Sequence, residues 1–467
     1  MSFKSNFTIP AVAAISLCSI GGTTPAYADL GDQLFKLLPD DGAADDRFGQ
    51  SVAISGATAI VGARRHDDNS SNSGAAYLFA TNTGKQLFKL LPDDGALGDG
   101  FGGSVAISGA TAIVGAAGDD DNGLFAGSAY LFDISDPANP TQIAKLLADD
   151  GAELDIFGSS VAISSASAIV GARGDDDNGA DSGAAYLFDI TTGRQLAKLL
   201  PDDGAAGDSF GNSVAISGPP GNEIAIVGAP RVDDDFGSAY VFDISDPANP
   251  AQLAKLLPND GAANDWFGWR VAIRGPTAIV GAPNDDDNGI DSGSAYFFDI
   301  TTGRQLAKLL PDDGAADDRF GQSVAISGDS ENNVAIVGAQ WDNDNGLFAG
   351  SAYFFDATTG LQLAKVLASD GAEFDSFGLS VAISGTTVIV GAYLHADNGF
   401  GSGAAYLFDA SFCPWDIDAN GSVGAADLLS LLVSWGPCKG CPADFDDSGS
   451  VGASDLLALL ANWGPCP

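Results

Sequence analysis

Positive charge is scarce in this 467-residue chain: Lys and Arg number 20 against 62 Asp and Glu, for a formal net charge of −42. Nucleic acid needs a basic face to meet its phosphates, and an anionic membrane surface makes the same demand, so both are poor partners. Divalent cations, basic partners and plain solubility are left. Histidine is scarcer still. His66 and His395 are the only two, and they read as non-equivalent loop positions with no recognisable triad. That speaks against a hydrolase built around an imidazole base. Carboxylates have the opposite problem, being too numerous to single out an acid/base couple.

Cysteine is absent between Cys18 and Cys413. After the N-terminus no apolar run has the length of a membrane span. The N-terminus itself reads as an export signal. Lys4 supplies the positive start, Ile9 to Ile20 is mostly apolar, and Ala26-Tyr27-Ala28 offers a small-x-small cleavage site before Asp29. The expected organisation is therefore a signal peptide over 1–28, a large body over 29–410 and a small module over 411–467, in a secreted or cell-surface protein.

The body is repetitive. Phe-Gly recurs at 48, 101, 157, 210, 267, 320 and 377. Each copy is followed by a Val-Ala-Ile stretch, then Ile-Val-Gly-Ala, then Gly-x-Ala-Tyr-x-Phe, then Gln-(Leu/Ile)-x-Lys-(Leu/Val)-Leu. Self-similarity at a fixed period marks a repeat architecture. The second copy predicts strands at Ser104–Ser108, Thr111–Val114, Ser128–Phe132 and Gln142–Leu147, separated by Gly and Asp/Asn turns. Four short antiparallel strands per unit describe a propeller blade. The seventh copy stops at Phe408-Asp409 without a fourth strand, and the missing strand stands at the other end as Gln33-Leu34-Phe35-Lys36-Leu37-Leu38. The expected fold is an all-β seven-bladed propeller whose N-terminal strand closes the last blade, followed by a small α-helical calcium-loop module. Closure removes sheet edges that would otherwise invite aggregation.

This repeat resembles the FG-GAP repeats of the integrin α-chain propeller over about residues 33–410. Phe210-Gly211 with Gly228-Ala229-Pro230, and Phe267-Gly268 with Gly281-Ala282-Pro283, carry the motif in full. The resemblance implies binding or adhesion. The integrin-type calcium loop between the Phe-Gly and Gly-Ala-Pro strands does not carry over, because that connection is a bare turn such as Ser55-Gly56-Ala57-Thr58.

Strand order places two sets of acidic loops at one end of the disc. The connection between second and third strands carries Asp119-Asp120-Asp121-Asn122, Asp175-Asp176-Asp177-Asn178 and their equivalents, and the connection into the next blade carries Asp40-Asp41, Asp93-Asp94 and theirs. They read either as ordinary turn formers or as a face for cations or a calcium-bridged partner. The fourth-strand lysines (36, 89, 145, 198, 255, 308 and 365) alternate with apolar neighbours and are expected to face solvent on outer strands.

The C-terminal module holds the sharpest chemistry. Asp416, Asp418, Asn420, Ser422 and Asp427 occupy positions 1, 3, 5, 7 and 12 of a twelve-residue loop with Gly421 at 6. Asp444, Asp446, Ser448, Ser450 and Asp455 repeat the pattern around Gly449. Calcium takes six to eight oxygens, and this spacing supplies side-chain oxygens, a backbone carbonyl at 7 and a closing acid at 12. Two Ca²⁺ sites are expected here, and the propeller loops are left open as further ones. Apolar helix patterns follow at Ala426–Trp435 and Ser454–Trp463, and Val423 and Val451 read as the place where the two loops meet. Cys413, Cys438, Cys441 and Cys466 frame the halves and suggest two disulfides, pairing within halves being the simplest of three connectivities.

The module resembles a type I dockerin, which implies calcium and a cohesin-like partner. Ala425-Ala426 and Ala453-Ser454 depart from the Ser/Thr that such modules often use at loop positions 10 and 11. The expected function is that of a non-catalytic binding or scaffold protein: the propeller meets a protein or glycan partner and the module anchors it. A polysaccharide hydrolase component and a calcium-dependent adhesin with a stabilised cap are the rival readings.

Overall fold

The structure, a computed structural model, describes residues 30–465 except 328–332, 412, 414, 418–421, 439–442 and 446–447. The expected signal peptide, Asp418, Asn420, Asp446, Cys441 and Cys466 thus lie outside the described residues.

Seven four-stranded antiparallel sheets form the propeller. In the second blade the strands are Ser104–Ser108, Thr111–Ala116, Ser128–Asp133 and Thr141–Leu146, within a residue or two of the ends expected from the pattern. The seventh sheet is completed by the N-terminal strand Gln33–Leu37, which pairs antiparallel with Ala404–Asp409, setting Lys36 opposite Tyr406 and Leu37 opposite Ala405. The circular offset of the sequence copies is thus a physical closure.

The repeated motif is the inter-blade joint. Phe157 bridges Gly127 of the preceding blade, and its ring meets Tyr186 and Phe188 edge-on at 5.5 and 5.8 Å. Gly158 follows with φ of +84°, and a Cβ there would run into the Ser128 carbonyl of the preceding blade. Only glycine allows both the conformation and the approach. Gly115, of the Ile-Val-Gly-Ala strand, meets the Gly158 carbonyl from the other side, and Ser104 Oγ donates to that same carbonyl at 2.8 Å. Phe-Gly therefore wedges between the end of one neighbour strand and the start of the next. The core is a ring of clusters, each shared by two blades. Leu37, Phe48, Tyr77 and Phe79 pack with Ile389, Ala405 and Leu407 to seal the last blade to the first.

Downstream, helices Ala425–Val433 and Ala453–Ala461 form a smaller unit around Val423, Leu431, Ala443, Val451 and Leu459. Val423 and Val451 share this core, and among the described residues their strands pair elsewhere rather than with each other. Ser422–Val423 pairs with Gly464–Pro465, and Ser450–Val451 pairs with Gly436–Pro437. Each loop is thus zipped to the segment after the other unit's helix, where the Gly-Pro dipeptide leaves an extended stretch free to pair.

No helix among the described residues is long and apolar enough to cross a membrane.

Candidate functional site

The fourth-strand lysines do not face solvent. Each lies opposite the third-strand tyrosine of its own blade, as Lys198 opposite Tyr186, and its ammonium sits over that ring, at 5.1 Å for Lys198. The side chain is about 15% exposed, because the blade's own acidic loops close over it. Lys198 Nζ meets Asp150 at 2.9 Å, Asp175 at 2.8 Å and Asp177 at 2.7 Å. Lys145, Lys308 and Lys365 repeat the arrangement with their own three aspartates. Tyr186 Oη also lies 3.0 Å from Asp150 and 2.7 Å from Asp175, with its single proton to share between them. The alternation that reads as outward-facing lysine instead marks lysine leaning along the strand to the acidic rim, where opposite charge repays its desolvation.

Asp150 belongs to the connection that enters the blade, whereas Asp175 and Asp177 belong to the loop between its second and third strands. One ammonium thus fastens both sets of acidic loops. Lysine at the centre of several carboxylates does what a bound cation would do, offsetting one of the three charges that converge on it and leaving the rim acidic.

Behind each cage sits a second buried aspartate, the residue two before Phe-Gly. Asp155 accepts Ala152 N–H at 2.7 Å and is nearly inaccessible, as is Asp175. Burial and the neighbouring carboxylate raise the acid two before Phe-Gly in four blades: Asp99 beside Asp119, Asp155 beside Asp175, Asp265 beside Asp285 and Asp318 beside Asp342. Asp265 and Asp318 are pushed up to about 6.

The histidines belong to this same ring. His66 and His395 stand three residues after Ala63 and Ala392, the position that Asp119 holds after Ala116, so they are equivalent to each other and to the buried aspartates. Their flanks, Arg64-Arg65 and Tyr393-Leu394, hide the correspondence. His66 Nδ1 contacts Asp46 at 2.9 Å and Nε2 meets Lys89 Nζ at 2.6 Å. His395 does the same with Asp375 at 2.7 Å and Lys36 at 2.8 Å. Asp41, His66 and Asp68, and likewise Asp370, His395 and Asp397, bring ligand atoms within 4.8 Å of one another, a grouping that could hold a metal ion. In both, the lysine ammonium stands among those atoms. The blade-four equivalent is Val232.

These groups make stability pH-dependent in a definite sense. Lysine-bound carboxylates such as Asp41, Asp94, Asp150 and Asp260 are lowered by their hydrogen bonds to lysine, against a burial effect that opposes it. They stabilise the fold above about pH 4 and lose that contribution as pH falls through their folded values. Asp265 and Asp318 are raised, so their contribution is complete below about pH 4 and is lost as pH rises to about 6. His66 and His395 are raised by their Asp partners against burial, and their contribution is lost at higher pH, above about 6.5. Thermal unfolding should therefore peak near pH 4 to 5 and fall toward pH 8. In an Asp265→Asn, Asp318→Asn variant the decline between about pH 4 and 6 should flatten; an unchanged slope would show that these acids do not carry it.

In the C-terminal unit the described residues of the second loop are tied by carboxylate-to-backbone hydrogen bonds. Asp444 Oδ2 accepts Gly449 N–H at 2.8 Å and Oδ1 accepts Ser448 N–H at 3.1 Å. Asp455 Oδ1 accepts Phe445 N–H at 2.8 Å, tying the end of the second loop to its start. Asp427 and Asp455 are wholly inaccessible and also accept the N–H of Gly424 and Gly452, at 2.7 and 2.8 Å, at their helix starts. Cys413 and Cys438 are disulfide-bonded and pack against the core of this unit.

The fold and its joints define a class, closed seven-bladed β-propellers built from a Phe-Gly/Gly-Ala repeat. The FG-GAP repeat family matches the chain seven times, over residues 32–79, 85–132, 140–188, 194–242, 250–298, 304–355 and 361–408, and the chain belongs to that family. Each match begins at or just ahead of one blade's fourth strand and ends near the close of the next blade's third, so the sequence unit straddles the joint that it builds. No curated protein matches the chain.

Proposed function

We propose that this protein is exported, with cleavage after Ala28, and works as a non-catalytic binding or scaffold protein. Its propeller presents the binding face, and its C-terminal unit, holding one Ca²⁺ in each loop, anchors it to a surface or an assembly. The propeller half of this reading rests on the FG-GAP fold, which is typical of binding and adhesion proteins. The calcium half rests on one observation: the Asp455 carboxylate, at position 12, turns back onto the amide of Phe445, at position 2, so the end of the second loop closes on its start. The donor set suits calcium, being all oxygen and carboxylate-rich. The unit's sequence offers Lys439 as its single basic side chain against seven aspartates. Disulfides Cys413–Cys438 and Cys441–Cys466 would brace the two halves, in keeping with two half-cystines on one small core.

Calcium titration of the full chain by calorimetry should give two saturable sites. An Asp416→Asn, Asp444→Asn variant should lose both. Chelation should destabilise the unit by about 2.7 kcal/mol per site relative to calcium at a hundredfold excess over its Kd. Two sites that persist in the variant would place calcium elsewhere and sink the loop assignment.

A further inference from the structure

Seven lysines are taken up by the cages, whereas four arginines gather elsewhere. A cavity of about 680 Å³ opens at the inner mouth of the propeller and is lined by Arg64, Arg65, Arg173 and Arg270. In a chain so short of positive charge, none of these four makes an ion pair with any described residue, although ion pairs fill the surrounding rim. Arg270 is desolvated and repelled by Arg173, which pushes its guanidinium down to about 10. Arg64 is lowered by burial and by Arg47, Arg65 and Arg173. Arg64 and Arg173 are exposed and Arg65 and Arg270 half-buried, so the mouth presents a cluster of guanidinium groups, none bonded to a described carboxylate, that a solute anion can reach.

Blade five adds an independent observation. At the position of Arg270 every other blade has serine: Ser51, Ser104, Ser160, Ser213, Ser323 and Ser380. Five of those serines donate to a glycine carbonyl of the next blade, at 2.8 Å in each case. Arg270 gives up that joint and instead donates to the Trp269 carbonyl at 3.1 Å. Beside it, the indole Nε1 of Trp269 is buried with no hydrogen-bond partner, as is Gln50 Oε1 across the cavity lining. A repeat that breaks its own rule at one blade, at a cost in joint bonding, does so where function is served. Asp99 is the single carboxylate among the lining residues, and its Oδ2 is engaged by Ala96 N–H.

We propose that this channel mouth binds an acidic sugar, its carboxylate held by Arg270 and Arg173 and its hydroxyls by Gln50 and Asn72, polar side chains of the same lining. The cavity has the volume of a small-ligand site. Its lining is rich in donors and poor in apolar surface, which suits a hydroxylated anion. A long polyanion meets the ring of aspartates outside the mouth, whereas a compact solute of one to three sugar units passes it.

The test is calorimetry on the full chain at low ionic strength with galacturonate, glucose and sulfate as probes. Galacturonate should bind, glucose should not, and sulfate should compete weakly. Arg270→Ser installs the residue of the other blades and Arg173→Ala the residue of blade two, so both suit the fold. Each should raise the galacturonate Kd about tenfold or more, as expected for losing a charge-assisted contact. No binding of galacturonate, equal binding of glucose, or an unchanged Kd in both variants would overturn the proposal. Sulfate binding as tightly as galacturonate would overturn the sugar class and leave an inorganic-oxyanion site.

Discussion

Deleting residues 30–38 should make the protein aggregate. Without Gln33–Leu37, the seventh sheet ends on Ala404–Asp409, whose first five residues are buried in the closed ring. An apolar, unpaired edge of that kind is a template for further strands. The same deletion removes the fully buried Leu37, worth about 1.5–3 kcal/mol of burial. It also removes Lys36, which engages Asp370 at 2.6 Å, His395 at 2.8 Å and Asp397. With the strand's ladder bonds, the loss reaches about 5 kcal/mol, comparable with the whole stability of an ordinary domain. Size-exclusion chromatography with light scattering should report aggregates, and thermal unfolding should lose its single transition. Adding a peptide of residues 30–38 in trans should restore part of the monomer by strand addition. A monomeric deletion variant melting within a few degrees of the full chain would mean that ring closure contributes little.

The sequence could reveal this closure because its signals are local and repeated. Phe-Gly, Ile-Val-Gly-Ala and Gly-x-Ala-Tyr-x-Phe each mark one strand or joint, and a surplus strand at one end with a deficit at the other has one simple resolution. What stayed hidden depends on contacts between distant segments. Lys198 meets Asp150 48 residues earlier and Asp175 23 residues earlier, and an alternating strand looks the same whether its lysine points outward or leans to the rim. His66 and His395 share a structural position, but their neighbours differ, and only alignment on the preceding Gly-Ala finds it. Arg64, Arg173 and Arg270 are scattered over three blades and become neighbours only through the ring, although the exchange of serine for Arg270 was a readable signal. The two twelve-residue loops stand out in the sequence as spacing, since position in such a loop is itself a local property.

Replacing a cage lysine tests whether the ammonium acts as a tethered cation, and its effect should be nearly as large as strand deletion. Lys198→Met keeps the stem that packs beside Tyr186 but leaves Asp175, about 5% exposed, beside Asp155 with no ammonium between the loops. Removing one partner of a buried pair costs about 3–5 kcal/mol; the outer carboxylates Asp150 and Asp177, about half exposed, add little. Two features separate this account from a simple packing defect. Lowering the pH to about 5 should recover much of the loss, because the abandoned Asp155–Asp175 pair then takes up a proton. Asp175→Val in the Lys198→Met background should recover stability at neutral pH as well, since blade four already carries Val232 at the equivalent position, nearly inaccessible and packed in its core. A double-mutant cycle read from denaturant unfolding gives the coupling directly. If Lys198→Met is equally destabilising at pH 5 and pH 8, and Asp175→Val adds to the damage, the lysine is a packing residue and the cage reading fails.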